Sequence, residues 1–466
     1  MSAVQVSPDA VRRAHAHATR MEIETWGPAV TLIGLGVWGA GVVLNIELCV
    51  SLLAALGFGL AIVGLWRPAL GLLGVAVLCT LDPLMNAYVF TGGILRWNTF
   101  NYWLLFVLAL FPWILLRLQN GQLALLECWL GLLGIELLIS ADYLTGMQDL
   151  FGAFAVLGLL VYFARGGEQP GAWYWLAVIS STIAAGGSLS YFLHASATDL
   201  INPNAMAYMP ITGLFACCMG LPFATRYRMG QPLLAAMAGL NLVLVVLTAS
   251  RGSMVTGTAC AAYMLVSIRG IGRKAVVIGL VALIAIVALS QFTEMRTYAF
   301  HRLNLLVDPN VGLTDATSGR ADLAKAGVRM FEQKPMGLGT GGFATAWSQL
   351  SYRDSESGWG IGHLKAAHSG WIKILVENGF PGVLLYGLFL LAFTISGWRS
   401  GSRDMLLLGG LATITLSLAF LTTEYQSKGV WFIAAGVMTM LRSRQSAAPA
   451  RSVAPERPGR SLAVRS

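Results

Sequence analysis

Apolar residues in this chain come in runs of membrane-spanning length separated by short polar breaks, at about 27–45, 46–66, 68–88, 100–117, 122–140, 149–165, 172–193, 204–223, 231–249, 252–269, 274–291, 380–398, 404–423 and 428–442. A helix crosses the hydrocarbon core with about 20 predominantly apolar residues. The pattern therefore predicts an all-α, polytopic membrane protein of about fourteen spans, twelve being the other even count. The first two runs also fit one re-entrant pair.

One stretch departs from the pattern. Residues 292–379 are long, polar and rich in Gly, yet carry Phe343, Trp347, Trp359 and Trp371. Loops longer than about 15 residues are usually functional or disordered, and the aromatic content argues for order. The expected organisation is an N-terminal cytoplasmic segment (1–26), membrane helices (27–291), a large loop outside the cytoplasm containing short helices (292–379), C-terminal membrane helices (380–442) and a disordered cytoplasmic tail (443–466).

Charge supports this layout. Of 466 residues, 56% are hydrophobic and 11% charged, with a mean hydropathy of +0.67. Soluble domains carry about 25% charged residues, so an ordinary soluble enzyme and a disordered protein are excluded. The net charge of +9 does not describe a nucleic-acid binder. Much of it lies in the tail, where Arg442, Arg444, Arg451, Arg457, Arg460 and Arg465 face only Glu456. Much of the rest sits in alternate short loops (Arg67, Arg117, Arg165, Arg226, Arg228, Arg269, Arg273, Lys274, Arg399, Arg403), while the other short loops hold few cations, Arg96, Arg251 and Lys428. By the positive-inside rule both termini are cytoplasmic and 292–379 is outside. No short hydrophobic stretch with a cleavage site stands out in the first 25 residues, so no removable signal peptide is expected. Cys49, Cys79, Cys128, Cys217, Cys218 and Cys260 all lie in apolar runs and read as small buried hydrophobes.

Within the loop a helix is expected from Arg320 to about Gln333, capped by Ser318, with Leu323, Ala324, Val328 and Phe331 on one side, and stopped by Lys334-Pro335. Arg320 in its first turn would join a guanidinium to unpaired N–H groups, an anion site. An ion pair with Asp322 or Asp315 is the duller account. Arg251 stands at the outer end of a tight helical hairpin, where a cation snorkels or meets an anion. His368 opens a short helix ending near Asn378-Gly379, and imidazole accepts protons near neutral pH. His363 is the other candidate base, and neither histidine has zinc-ligand spacing.

Gly337, Gly339, Gly341 and Gly342 form a glycine-rich turn after Pro335, which fits a backbone approach to a sugar or phosphate, or a loop contact, and equally a plain flexible connection. Its match to a dinucleotide fingerprint is in letters only, without a βαβ unit. Asn202-Pro203-Asn204 opens a span, with Asn204 serving as a cap or as a glycan contact. Glu127 and Glu136 inside one apolar run fit either interhelical hydrogen bonding or a proton-coupled transporter or flippase.

The order Asn202-Pro203-Asn204, Ser250-Arg251-Gly252, Ser318-Gly319-Arg320, Gly337-Leu338-Gly339-Thr340-Gly341 and then His368 before a span resembles the bacterial O-antigen ligase and polymerase superfamily. The likeness covers about residues 200–395. It implies an inner-membrane glycosyltransferase working on the periplasmic face with a glycan on undecaprenyl diphosphate as donor. The acceptor it implies is either another lipid-linked glycan (a polymerase of O-antigen or exopolysaccharide) or lipid A–core (a ligase). It assigns His368 as the base toward the acceptor hydroxyl, and Arg251 and Arg320 as the diphosphate holders. It implies no metal and no cofactor. Membrane lipids and the chain-length and export proteins of polysaccharide assembly would be its partners. Ser369-Gly370 departs from the pattern, since many members carry Asn after the histidine.

Overall fold

The structure, a computed structural model, describes residues 8–41, 45–64, 66–85, 121–140, 142–147, 149–150, 170–194, 203–268, 320–351, 367–422 and 428–447, with single positions between 270 and 304. The described residues are helical and contain no strand. The expected spans at 100–117 and most of 149–165 and 274–291 lie outside them, as do Arg96, Asn202, Ser318, Trp359 and His363.

The membrane layer is built from α1 (Pro8–Gly41), α2 (Ile46–Val63), α3 (Pro68–Leu84), α4 (Gly121–Leu137), α5 (Pro170–His194), α6 (Pro203–Gly220), α7 (Gly230–Leu247) and α8 (Arg251–Ser267), followed later by α12 (Gly379–Arg399), α13 (Arg403–Thr422) and α14 (Lys428–Ala447). Helix α1 starts well before the apolar run at 27, so the polar N-terminal segment and the first run share one helix. Among the described residues, five helices are long and apolar enough to cross a membrane: Ile46–Val63, Ala172–Leu193, Met206–Arg226, Gly230–Leu247 and Gly379–Arg399. Leu70–Leu84 and Gly429–Leu441 are shorter apolar helices. The chain is a multi-pass membrane protein.

Helices α5 and α6 pair at the centre and are covered nearly all round, with α1, α3, α7, α8 and α14 packed on them. Helix α12 is peripheral. Phe380, Leu384, Leu388, Leu391 and Ile395 form one exposed stripe at three- and four-residue spacing, while Gly382, Tyr386, Phe389 and Phe393 face inward. An apolar stripe of this length on a spanning helix belongs against lipid chains. Its inner side meets α13 closely. A Cβ at Gly409 would strike the Phe393 carbonyl, and Thr394 and Thr413 hydroxyls meet at 2.9 Å. Small residues and hydroxyls hold membrane helices where burial of apolar surface gives no drive. Cys128 is a correction to the cysteine expectation: it is exposed, while the other five are buried and all six are free.

The sequence between α8 and α12 contributes α9 (Arg320–Gln333), α10 (Phe343–Ser351) and α11 (Gly370–Glu377). These three carry a small core of their own, formed by Leu323, Met330, Phe343, Trp347, Ala367 and Val376. The buried side of α9 is Leu323, Gly327 and Met330, whereas Val328 is exposed. The expected face was rotated because Gly327 joins the interface by close approach to Ile372, not by hydrophobicity. Trp371 seats this unit on the membrane bundle. Its indole N–H donates to the Ser417 carbonyl at 3.0 Å, and its ring meets Tyr386 edge-on at 5.4 Å. Tyr386 in turn touches Phe389 and Trp431.

Candidate functional site

Helices α9 and α11 run side by side in the same direction. At their C-terminal ends, Leu338 N–H donates to Val376 O (2.9 Å), Gly339 N–H to Glu377 O (3.0 Å) and Phe380 N–H to Pro335 O (2.9 Å). Midway, Gly327 abuts Ile372. Both N-termini therefore lie at the other end of the pair, and these carry Arg320 and His368. Arg320 is seven positions before Gly327 and His368 four before Ile372; at 1.5 Å per residue Arg320 stands about one turn beyond His368 along the shared direction.

His368 is exposed, between a buried Ala367 and a capping Ser369 whose hydroxyl accepts from Ile372 N–H at 3.4 Å. Its backbone is left-handed, φ +49°. Non-glycine residues reach this region at a cost, and they persist where the neighbours on both sides are fixed. Among the described residues the other non-glycine case is Ala249, φ +56°, two positions before Arg251. Here Thr248, Ala249 and Ser250 turn α7 into α8, and the Ser250 and Ser253 hydroxyls bond at 2.8 Å. Arg251 is the first residue of α8 and half-buried.

Helix α8 lies on α13. Cys260 Sγ is 3.9 Å from Thr415 Oγ1, and further along α8 Tyr263 is within electrostatic reach of Asp404 at the start of α13. The two helices are thus antiparallel, and Arg251, about 13 Å before Cys260 along the axis, stands toward the C-terminal end of α13. Ser417, the Trp371 partner, is in that half of α13 as well. The three predicted polar groups gather toward one end of the molecule, two on the loop unit and one on the membrane bundle beside it.

The glycine turn serves a different surface. Gly339 (φ +91°) and Gly341 (φ +87°) are buried and use backbone geometry that other residues disfavour. A Cβ on Gly339 would lie 2.8 Å from the Glu136 carbonyl, and one on Gly341 would strike Gly146. Their contacts are with loop and helix backbone. The backbone of Asn204 lies in the first turn of α6.

Behind the turn is a group of buried polar side chains that the sequence did not assemble. Asn378, which closes α11 and opens α12, donates to the Glu136 carboxylate of α4 and, at 3.5 Å, to Thr340 Oγ1. Thr340 Oγ1 donates to Leu133 O at 3.0 Å. Lys373 pairs with Asp149 at 2.7 Å, both buried. Glu377 Oε1 accepts from Phe343 N–H at 3.2 Å. The legible trace of this cluster was a Lys and a Glu four residues apart in an otherwise apolar helix, Gly370-Trp371-Ile372-Lys373-Ile374-Leu375-Val376-Glu377. Glu136 is engaged in an interhelical hydrogen bond, the plainer of its two readings.

Burial pushes the Glu377 carboxyl well above the usual carboxylate range, with Asp149 adding to the rise and Lys373 opposing it. An acid whose folded value is raised costs stability once pH climbs past its unfolded value, about 4.3. Glu377→Gln keeps the acceptor for Phe343 and removes the titration. Its melting temperature should gain on wild type as pH is taken from about 5 to 8, measured by thermal unfolding in detergent; parallel curves would show that Glu377 is ionised throughout.

Among the described residues no group of His, Cys, Asp or Glu is arranged to hold a metal ion. The groups with chemistry to offer on these elements are two guanidiniums, Arg251 and Arg320, and one exposed imidazole, His368. Residues 236–387 match the model of the O-antigen ligase family, a stretch running from within α7 into α12 and containing Arg251, Arg320 and His368. The match covers about a third of the chain and supports its likeness to the O-antigen ligase-like superfamily. No curated protein matches it.

Proposed function

We propose, from the O-antigen ligase-type domain at 236–387, that the protein transfers a glycan from undecaprenyl diphosphate to an acceptor hydroxyl on the periplasmic face of the inner membrane. The observation that carries this is the parallel α9–α11 pair, with Arg320 and His368 mounted at the same end. His368 takes the proton of the acceptor hydroxyl. The oxygen attacks the anomeric carbon as its bond to the diphosphate breaks, the diphosphate leaves with one further negative charge on Arg251 and Arg320, and the imidazolium proton passes to water. Direct displacement inverts the anomeric configuration. This route asks nothing of a metal.

We favour a polymerase of surface polysaccharide, with a second lipid-linked glycan as acceptor, because no residue distinguishes a lipid A–core site. Ligation is the second reading, carried by the description of the matched family. Deleting the protein and examining the cell's glycans separates them. Single repeat units, on the carrier or on an acceptor, are the expected result. Long chains accumulating on the lipid carrier would establish a ligase, and unchanged glycans would end both readings.

A further inference from the structure

The buried cluster around Asn378 brings together three parts of the chain that local folding does not hold in register. Helix α4 supplies Glu136 and the Leu133 carbonyl, three residues apart and so on one face. The turn after α9 supplies Thr340, and the junction of α11 and α12 supplies Asn378. The polarity is consistent throughout: the side-chain amide of Asn378 gives its hydrogens to the Glu136 carboxylate and to Thr340 Oγ1, and Thr340 passes its own to Leu133 O. Glu136 is 5% exposed, Asn378 1% and Thr340 0%. Water cannot substitute for a missing partner there, and an unmatched polar group in such a place is costly.

We propose that Asn378 and Glu136 are positioning residues of the transfer reaction, a latch that fixes α9 and α11, and with them Arg320 and His368, against the membrane bundle. The proposal rests on the reaction assigned above. The latch touches no substrate: Asn378 is ten residues from His368, about 15 Å along the helix direction. It acts by register, because the turn it grips is the end of α9 and the residue that grips it is the end of α11. A displacement of reacting groups by 1 Å costs about 10²-fold in rate.

The test uses the purified full-length chain in detergent, with lipid-linked glycan extracted from cells lacking the protein as both donor and acceptor. Asn378→Asp sets two acceptors against each other, and kcat should fall about 100-fold with KM within about threefold of wild type. Glu136→Gln leaves an acceptor for Asn378 and should keep most of the turnover. The pair Glu136→Gln/Asn378→Asp reverses the donor and acceptor and should recover at least about tenfold of the loss, as coupled neighbours do. Thr340→Val is the milder variant should Asn378→Asp fail to fold, with kcat expected to fall about tenfold and KM unchanged.

Wild-type kcat in folded Asn378→Asp, or in Thr340→Val where the first is unstable, would overturn the latch. So would a paired variant no better than Asn378→Asp alone, or losses that appear in KM or in the amount of folded protein only. His368→Ala measured beside them keeps the two readings apart: its activity decides the reaction, and theirs decides the latch.

Discussion

His368→Ala removes transfer, with turnover falling by about 10²–10⁴-fold, the span over which a positioned general base accelerates a reaction. Three observations make this residue the one to expect it from. It is exposed where Ala367 is buried, so the ring reaches outward from the α9–α10–α11 core. The Ser369 cap and the Trp371 seat fix the residues that follow it, and with them the backbone from which the imidazole projects. Its left-handed φ of +49° is conformational cost kept at one position. His368→Gly separates these roles. Glycine adopts the same backbone without strain and should match or raise the melting temperature, by an amount on the order of 1 kcal/mol of relief, while remaining as inactive as the alanine variant. The measurement is glycan transfer in vitro beside thermal unfolding. Turnover within fivefold of wild type for His368→Ala would remove the base from the mechanism and return the chain to the flippase class, which needs none.

What could be read from the sequence divides along the range of the interaction. Helix limits were legible because caps and breakers are local: Arg320–Gln333 stops at Lys334-Pro335, Gly370–Glu377 follows His368, and the hairpin before Arg251 is as short as its apolar flanks implied. The described limits of α5, α7, α8, α12 and α13 agree with the apolar runs within a few residues. The buried face of α9 was not legible, since a glycine that lets another helix approach looks neutral in a hydrophobic pattern. Nor was the partner of Glu136. Its hydrogen bond spans 242 residues, and a carboxylate in an apolar run reads the same whether it carries protons or receives one from an amide. Glycines 339 and 341 read equally as an approach to a sugar or phosphate and as a plain flexible connection, because the backbone they pack against belongs to α4 and to residues 140–146. The left-handed turn at His368 had no signal at all, because sequence marks that geometry with Gly or Asn.

Arg251→Ala and Arg320→Ala should each lower kcat/KM by about 10–100-fold, since a charge-assisted hydrogen bond contributes about 1.5–3 kcal/mol. The chemistry decides where the loss appears. Breaking the anomeric C–O bond adds a negative charge to the diphosphate, so a guanidinium is worth more in the transition state than in the bound donor, and kcat falls further than KM rises. Lysine restores the charge but not the planar fork, and Arg320→Lys should recover only part of the rate. The pair distinguishes a shared anion from two separate surface cations. Arg320 is carried by the loop unit and Arg251 by the membrane bundle, so in the free protein they have no common element. Independent roles would make the double variant the sum of the singles in free energy. Two arginines holding one diphosphate are coupled through it: with one gone the leaving group shifts, and removing the second costs less than it does alone. The expected double-mutant cycle therefore departs from additivity by about 0.5–3 kcal/mol, read from initial rates with the lipid-linked donor. Full additivity with small single effects, each under about threefold, would leave Arg251 snorkelling at a helix end and Arg320 as an ordinary surface cation.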